Sequence, residues 1–191
     1  ESGFLQHTMM DTLVTEERIQ RLLRRDRPEA DYPREGFARS LKQIAALIAA
    51  GLETRVYFAS LGGFDTHANQ AGAHARLMQR LSEGLAAFQR DLRARRLDDQ
   101  VLTMTFSEFG RRPNENDGGG TDHGTAAPLF VMGSPLQANL CGTAPSLDLA
   151  DNQDLTFSTD FRSVYGTVLD QWLGCPHAPI LGGTFDRLRF L

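Results

Sequence analysis

At 191 residues and 41% hydrophobic content, the chain has the length of one domain and enough apolar side chains to bury a core without disulfides or a structural metal. Its 20 basic and 24 acidic residues give a formal net charge of -4 in mixed order, which argues against a nucleic-acid partner, for which a basic stripe would be expected. No run is long and apolar enough to span a membrane, and the opening ESGFLQHT lacks the charged-then-apolar order of a secretion signal.

The first predicted element is a helix over residues 8–25, with Leu13, Ile19, Leu22 and Leu23 at near-helical spacing and Thr15, before Glu16 and Glu17, capping it or starting it afresh. Arg21, Arg24, Arg25 and Arg27 read as its solvated face and end. Two prolines and a glycine in RPEADYPREG make residues 27–36 a loop. Leu41, Ile44, Ala45 and Ile48 recur at one face of a second helix, which Gly51 ends.

TRVYFAS, residues 54–60, is short, aromatic and β-branched, so it reads as a strand running into Gly62 and Gly63. Leu77, Leu81, Leu85, Phe88 and Leu92 then step by three or four along a long amphipathic helix, with His74 one turn earlier on the same face. Residues 100–106 and 128–132 read as two further strands. Strand, helix, strand implies a right-handed crossover and parallel pairing. The expected architecture is therefore a single α/β domain over residues 1–191, a mostly parallel sheet flanked by helices.

Residues 134–158 read as loops with a short hairpin, Asp160 as the N-cap of a helix presenting Phe161, Val164, Val168 and Trp172, and GGTFDRLRFL as an extended tail. Cys141 and Cys175 lie outside any C-x-x-C spacing, which suggests neither a zinc ribbon nor a thioredoxin motif and leaves them paired or free.

Two stretches carry polar chemistry, RVYFASLGGFDTH at residues 55–67 and VLTMTFSEFGRRPNENDGGGTDHG at residues 101–124. Each is a strand-like run that leads through glycines to an Asp and a His, and open α/β sheets hold ligands at such strand ends. Asp65 and His67 suit zinc, manganese or iron, against the simpler reading of an Asx-turn beside a helix start. Glu108 is a candidate ligand or general base, and Arg111 and Arg112 are forked donors for a phosphate or sulfate, against a salt bridge among the three. Asp122 and His123 sit between Gly118-Gly119-Gly120 and Gly124, where backbone can approach a ligand, or where the Asp can simply orient the His. His7 and His177 fall outside these loops and read as surface or packing residues, while His74 stays between core residue and site residue.

GGFDTHANQ, SEFGRRPNEN, GTDHGTAAPLFVMG, DFRSVYGTVLDQWLG and the closing LGGTF together resemble the DUF1501 family, bacterial proteins similar to the alkaline phosphatase and sulfatase superfamily. The resemblance runs from about Phe37 to the end. It implies an alkaline-phosphatase-like parallel sheet, metal ions at strand ends, an alcohol nucleophile, and export by the twin-arginine route to the periplasm or cell surface. In phosphomutase members of that superfamily a strand leads into an Asp-His pair followed by a GTDH segment with a ligand histidine. Here Glu108 takes the place of the aspartate, Phe109 that of a ligand histidine, and His123 inherits a ligand role. Asp65 and His67 stand closer together than the Asp-x-x-x-His of those enzymes. The implied nucleophile and one further metal aspartate belong to an N-terminal half, so the expectation is a C-terminal part of a longer chain, which also fits a start without Met.

Three functions follow as expectations. The first is a metal-dependent hydrolase of small or polymer-linked phosphate or sulfate esters. It would hold a divalent ion, zinc before manganese or iron, among Asp65, His67, Glu108, Asp122 and His123, and receive the anion on Arg111 or Arg112. Its nucleophile is not marked, although Thr105 and Ser107 offer hydroxyls nearby. The second is a non-catalytic binding or assembly protein of the cell envelope, and the third a metal-free, hydrogen-bonded loop cluster. Nothing in the sequence sets the oligomeric state.

Overall fold

The computed structural model describes residues 2–137, 140–150 and 153–191, with side chains described from Val14 onward. His7 and Leu13 thus lie outside the described side chains. The chain divides into two compact units, Glu1–Phe64 with Ala75–Leu97, and Asp65–His74 with Asp98–Leu191.

The first unit is helical. Helix α1 spans Ser2–Arg25 without a restart at Thr15, α2 spans Gly36–Ala49, and α3 spans Gln70–Ala94, its first five residues belonging to the second unit. The periodicity of α2 buries Ala38, Leu41, Ala45 and Ala46, leaving Ile44 and Ile48 half-covered, and Gly51 follows at φ +70° as a helix-ending glycine. Helix α3 buries Leu77, Leu85, Ala87, Phe88 and Leu92, and its Gly84 admits the Phe37 ring and Leu41 of α2. Full burial of side chains the size of Phe88 and Leu92 stabilises by about 2–3 kcal/mol each.

The same unit hides a polar network that the hydrophobic pattern does not reveal. Asp91, fully buried on α3, accepts hydrogen bonds from Glu29 N at 2.8 Å, Tyr32 Oη at 2.9 Å and Arg95 Nε at 2.7 Å. Arg95 also grips Asp26 with two nitrogens, at 2.8 and 3.1 Å. Burial, and then the bond to Asp91, push the Tyr32 phenol well above its ordinary range. Burial works against the Arg95 charge, and the carboxylates of Asp26 and Asp91 outweigh it.

The second unit contains all the strands found among the described residues. Strand β1, Thr103–Met104, pairs antiparallel with β4, Val131–Met132, and β2, Gly110–Arg111, pairs antiparallel with β3, His123–Gly124. The mostly parallel, alkaline-phosphatase-like sheet is therefore corrected. The chain is rich in helix, with two short antiparallel ladders. Residues 54–60 keep the alternation of a strand, Val56 and Phe58 exposed and Tyr57 and Ala59 half-buried, but form none. A strand exists through its ladder, and composition specifies propensity without specifying the partner. The partner of β1 is β4, which follows β3 in the same stretch of chain and returns against β1 in the opposite sense.

No hairpin forms within 134–158 among the described residues. Helix α4, Phe161–Thr167, starts as its sequence predicts, with the Asp160 side chain accepting from Arg162 N at 2.9 Å, and continues into a π-helical turn, Val168–Trp172. It buries Ser163, Val164, Gly166 and Thr167 and leaves Phe161 exposed. A short α5, His177–Leu181, follows. His177 is buried: its Nδ1 lies 2.8 Å from Asp170 Oδ2 in the π-helical turn, while its Nε2 accepts from Phe185 N at 3.1 Å, so the ring ties that turn to the tail. Thr167 Oγ1 accepts from Leu188 N at 2.9 Å, a second tie to the same segment. No helix among the described residues is long and apolar enough to cross a membrane.

Candidate metal centre

The centre is assembled in the second unit from residues 65–70, ahead of and at the start of α3, and from the 110–124 hairpin. Asn69 N donates to Gly118 O at 3.0 Å and Gln70 N to Gly119 O at 2.9 Å. Gln70 further ties the two segments through Thr66 Oγ1 at 3.0 Å and Thr121 Oγ1 at 3.2 Å. Gly120 permits this closeness, since a Cβ there would fall 2.5 Å from the carbonyl carbon and oxygen of His67. The glycines thus admit the backbone of the His67 loop. Their amides are turned inward as well, Gly118 N and Gly120 N each donating to Asn116 Oδ1 at 3.0 Å.

In the β2–β3 ladder Arg111 stands opposite His123. This register delivers His123 to the 65–67 loop. Its Nε2 lies 2.7 Å from Asp65 Oδ1 and 3.3 Å from His67 Nε2, and His67 Nε2 lies 2.9 Å from the same Asp65 oxygen. One donor atom from each residue lies within 4.8 Å of the other two, and all three residues are exposed. In a tetrahedral zinc shell with bonds of about 2.0–2.1 Å, donor atoms lie about 3.3 Å apart. The histidine pair matches that edge, and the two shorter edges are those of hydrogen bonds to a carboxylate. The donor set, two imidazole nitrogens and one carboxylate oxygen, fits a borderline ion such as zinc better than calcium or magnesium.

Hydrogen bonding from His123 is the main force holding the Asp65 carboxyl below its usual range; partial desolvation opposes it and His67 adds to it. Asp65 is therefore a carboxylate at neutral pH. Asp122 is likewise lowered, first by the bond from Asn116 against some desolvation, then by His67 and by the charge of Arg112.

The candidate residues separate in space. Asp65, His67 and His123 come together, and Asp122 meets His67 from its other ring nitrogen, Oδ1 lying 3.5 Å from Nδ1. Glu108 is exposed and falls outside the three-residue group. Arg111 places Nη2 4.0 Å from Asp65 Oδ1, while its Nη1 donates to Thr121 O. Arg112 is exposed, its backbone N donating to Asp122 O at 3.0 Å. His74 is exposed and not among the three. The two hydroxyls are engaged with backbone: Thr105 Oγ1 accepts from Phe130 N at 2.9 Å, and Ser107 Oγ donates to Phe109 O at 2.8 Å.

Two contributors were not legible from spacing. Phe109 stacks on the His123 ring, centroids 3.9 Å apart and planes 6° from parallel, and the Arg111 guanidinium lies over the Phe109 ring, 5.1 Å from its centroid. The residue standing where the resemblance expects a ligand histidine therefore packs against a candidate one. Asn116 is the other. An Asn two residues ahead of a glycine run is the sequence mark of an Asx-turn, which would have found its bonds to Gly118 and Gly120.

Comparison with curated proteins and with solved structures gives no match. The model of one family, described as a protein of unknown function (DUF1501), matches residues 4–181. That match spans nearly the whole chain, and the protein belongs to the DUF1501 family.

Proposed function

We propose that the chain carries the metal centre of a hydrolase acting on phosphate or sulfate esters. The observation behind this reading is the convergence of Asp65 Oδ1, His67 Nε2 and His123 Nε2 from segments more than fifty residues apart in sequence. Those three residues would hold a divalent ion, zinc ahead of manganese or iron. Such an ion supplies Lewis-acid polarisation of an ester oxygen and a lowered pKa for a bound water or alcohol. Asp65, ionised at neutral pH, offsets part of the ion's charge, and the Phe109 ring fixes the plane of His123. Arg111, beside Asp65, places a cation where an anionic ester would approach. The substrate class comes from the superfamily resemblance seen in the sequence, as does the proposed export to the periplasm or cell surface.

Zinc-loaded protein should hydrolyse an aryl phosphate or an aryl sulfate, and His123→Ala should abolish that turnover. A loaded protein that turns over neither ester overturns the hydrolase reading. A second reading, a metal-binding envelope protein without catalysis, is favoured by the engagement of Thr105 and Ser107 with backbone groups. It predicts metal retention with no ester turnover.

A further inference from the structure

We infer that Asn116 is the positioning residue of this centre, setting His67 through the His67 carbonyl and through Asp122, an inference that rests on the metal reading above. A primary amide has two N–H donors and one carbonyl oxygen with two lone pairs. Asn116 uses all four. Its Nδ2 donates to His67 O at 3.1 Å and to Asp122 Oδ1 at 3.2 Å, and its Oδ1 accepts from Gly118 N and Gly120 N. The orientation of the amide is fixed by its neighbours, because backbone N–H groups only donate and a carbonyl and a carboxylate only accept. The backbone of Asn116 joins the same turn, its N donating to Gly120 O at 2.8 Å and its O accepting from Gly119 N at 3.1 Å.

The consequence falls on His67. Its main chain is held by one amide hydrogen of Asn116, and the carboxylate beside its Nδ1 is held by the other. With Asp122 on the Nδ1 side, the ring presents Nε2 to Asp65 and His123. Metal-ligating histidines commonly have a carboxylate at the second nitrogen, and losing such a partner costs about 10–100-fold in metal affinity. Asn116 stands one bond further out and supports both the carboxylate and the loop.

Asn116→Asp separates this role from simple support of the turn. Aspartate keeps an acceptor for the two glycine amides, but it loses both donors and faces a carbonyl and a carboxylate with like charge. Zinc titrated calorimetrically into the full chain should bind about 10–100-fold more weakly to this variant than to wild type. Slow hydrogen exchange at Gly118 and Gly120 should persist. Asp122→Ala, which leaves Asn116 and the turn in place, should weaken zinc over the same range. At saturating cobalt its visible spectrum should keep the wild-type band shape, because no coordinating atom has been removed. Zinc affinity within about twofold of wild type in either variant overturns the inference, and so does a changed cobalt band shape in Asp122→Ala. Wild-type protein that takes up neither zinc nor cobalt defeats the metal reading itself, and this inference falls with it.

Discussion

Replacing Asp91 with alanine should be among the most damaging single changes in the first unit. Asp91 has no exposed surface and takes three donors: the Glu29 amide, the Tyr32 hydroxyl and the Arg95 guanidinium. Alanine strands the first two without a protein partner, and at these part-buried positions an unsatisfied donor costs about 1–2 kcal/mol. Arg95, 11% exposed, retains Asp26, itself 12% exposed, so its charge is not left alone. The two stranded donors together should therefore cost about 2–4 kcal/mol. At a urea slope of about 2 kcal/mol/M, the unfolding midpoint followed by far-ultraviolet circular dichroism should drop by roughly 1–2 M. Asp91→Asn, which keeps one acceptor oxygen, should lose less. A midpoint that moves by under about 0.5 M in Asp91→Ala would refute the claim that this network holds the Glu29–Tyr32 loop against α3.

Other consequences follow from single contacts. Gly120→Ala should separate the two segments of the candidate centre, because its Cβ would meet the His67 carbonyl group at 2.5 Å; zinc uptake should fall to the level of His123→Ala, and uptake equal to wild type contradicts the packing described. Thr167→Val leaves the half-buried Leu188 amide without its acceptor and should cost about 1 kcal/mol in urea unfolding, whereas a neutral change would remove Thr167 as the anchor of the tail. The side-chain bond from Arg162, followed by its backbone amide, lowers the Asp160 carboxyl in the folded protein. A lowered folded pKa stabilises fully above the unfolded value of about 3.9 and loses that contribution as pH falls through the folded value. The stability difference between wild type and Asp160→Asn should therefore be flat at neutral pH and shrink in acid; a difference that grows in acid contradicts the assignment.

Helices α2, α3 and α4 were legible because their cues are local, whereas α5 was not read. The spacing of Leu77, Leu85, Phe88 and Leu92 along α3, the glycine after α2 and the Asp160 cap each act within a few residues of where they are read. The sheet was not legible, because residues 54–60 and 100–106 advertise propensity alone, and the actual partner of Thr103 is Met132, 29 positions on. For the centre, glycine-flanked Asp-His pairs marked which segments converge, but spacing could not rank their members. It took the Arg111–His123 register to bring His123 to Asp65 and His67, and the same geometry left Glu108 exposed and outside that group. Asn116 and Phe109 escaped because neither residue type announces metal chemistry. Their roles depend on distances to His67, Asp122 and His123 that only the folded hairpin defines.

The most direct test of the metal centre is elemental analysis of protein purified without chelator or added metal, run beside His123→Ala and Asp65→Ala. A site formed by Asp65, His67 and His123 predicts close to one equivalent of zinc, manganese or iron in the wild type and a marked loss in both variants. Wild-type protein without bound metal, or metal content unchanged in both variants, would contradict the assignment and leave the three residues as a hydrogen-bonded loop cluster.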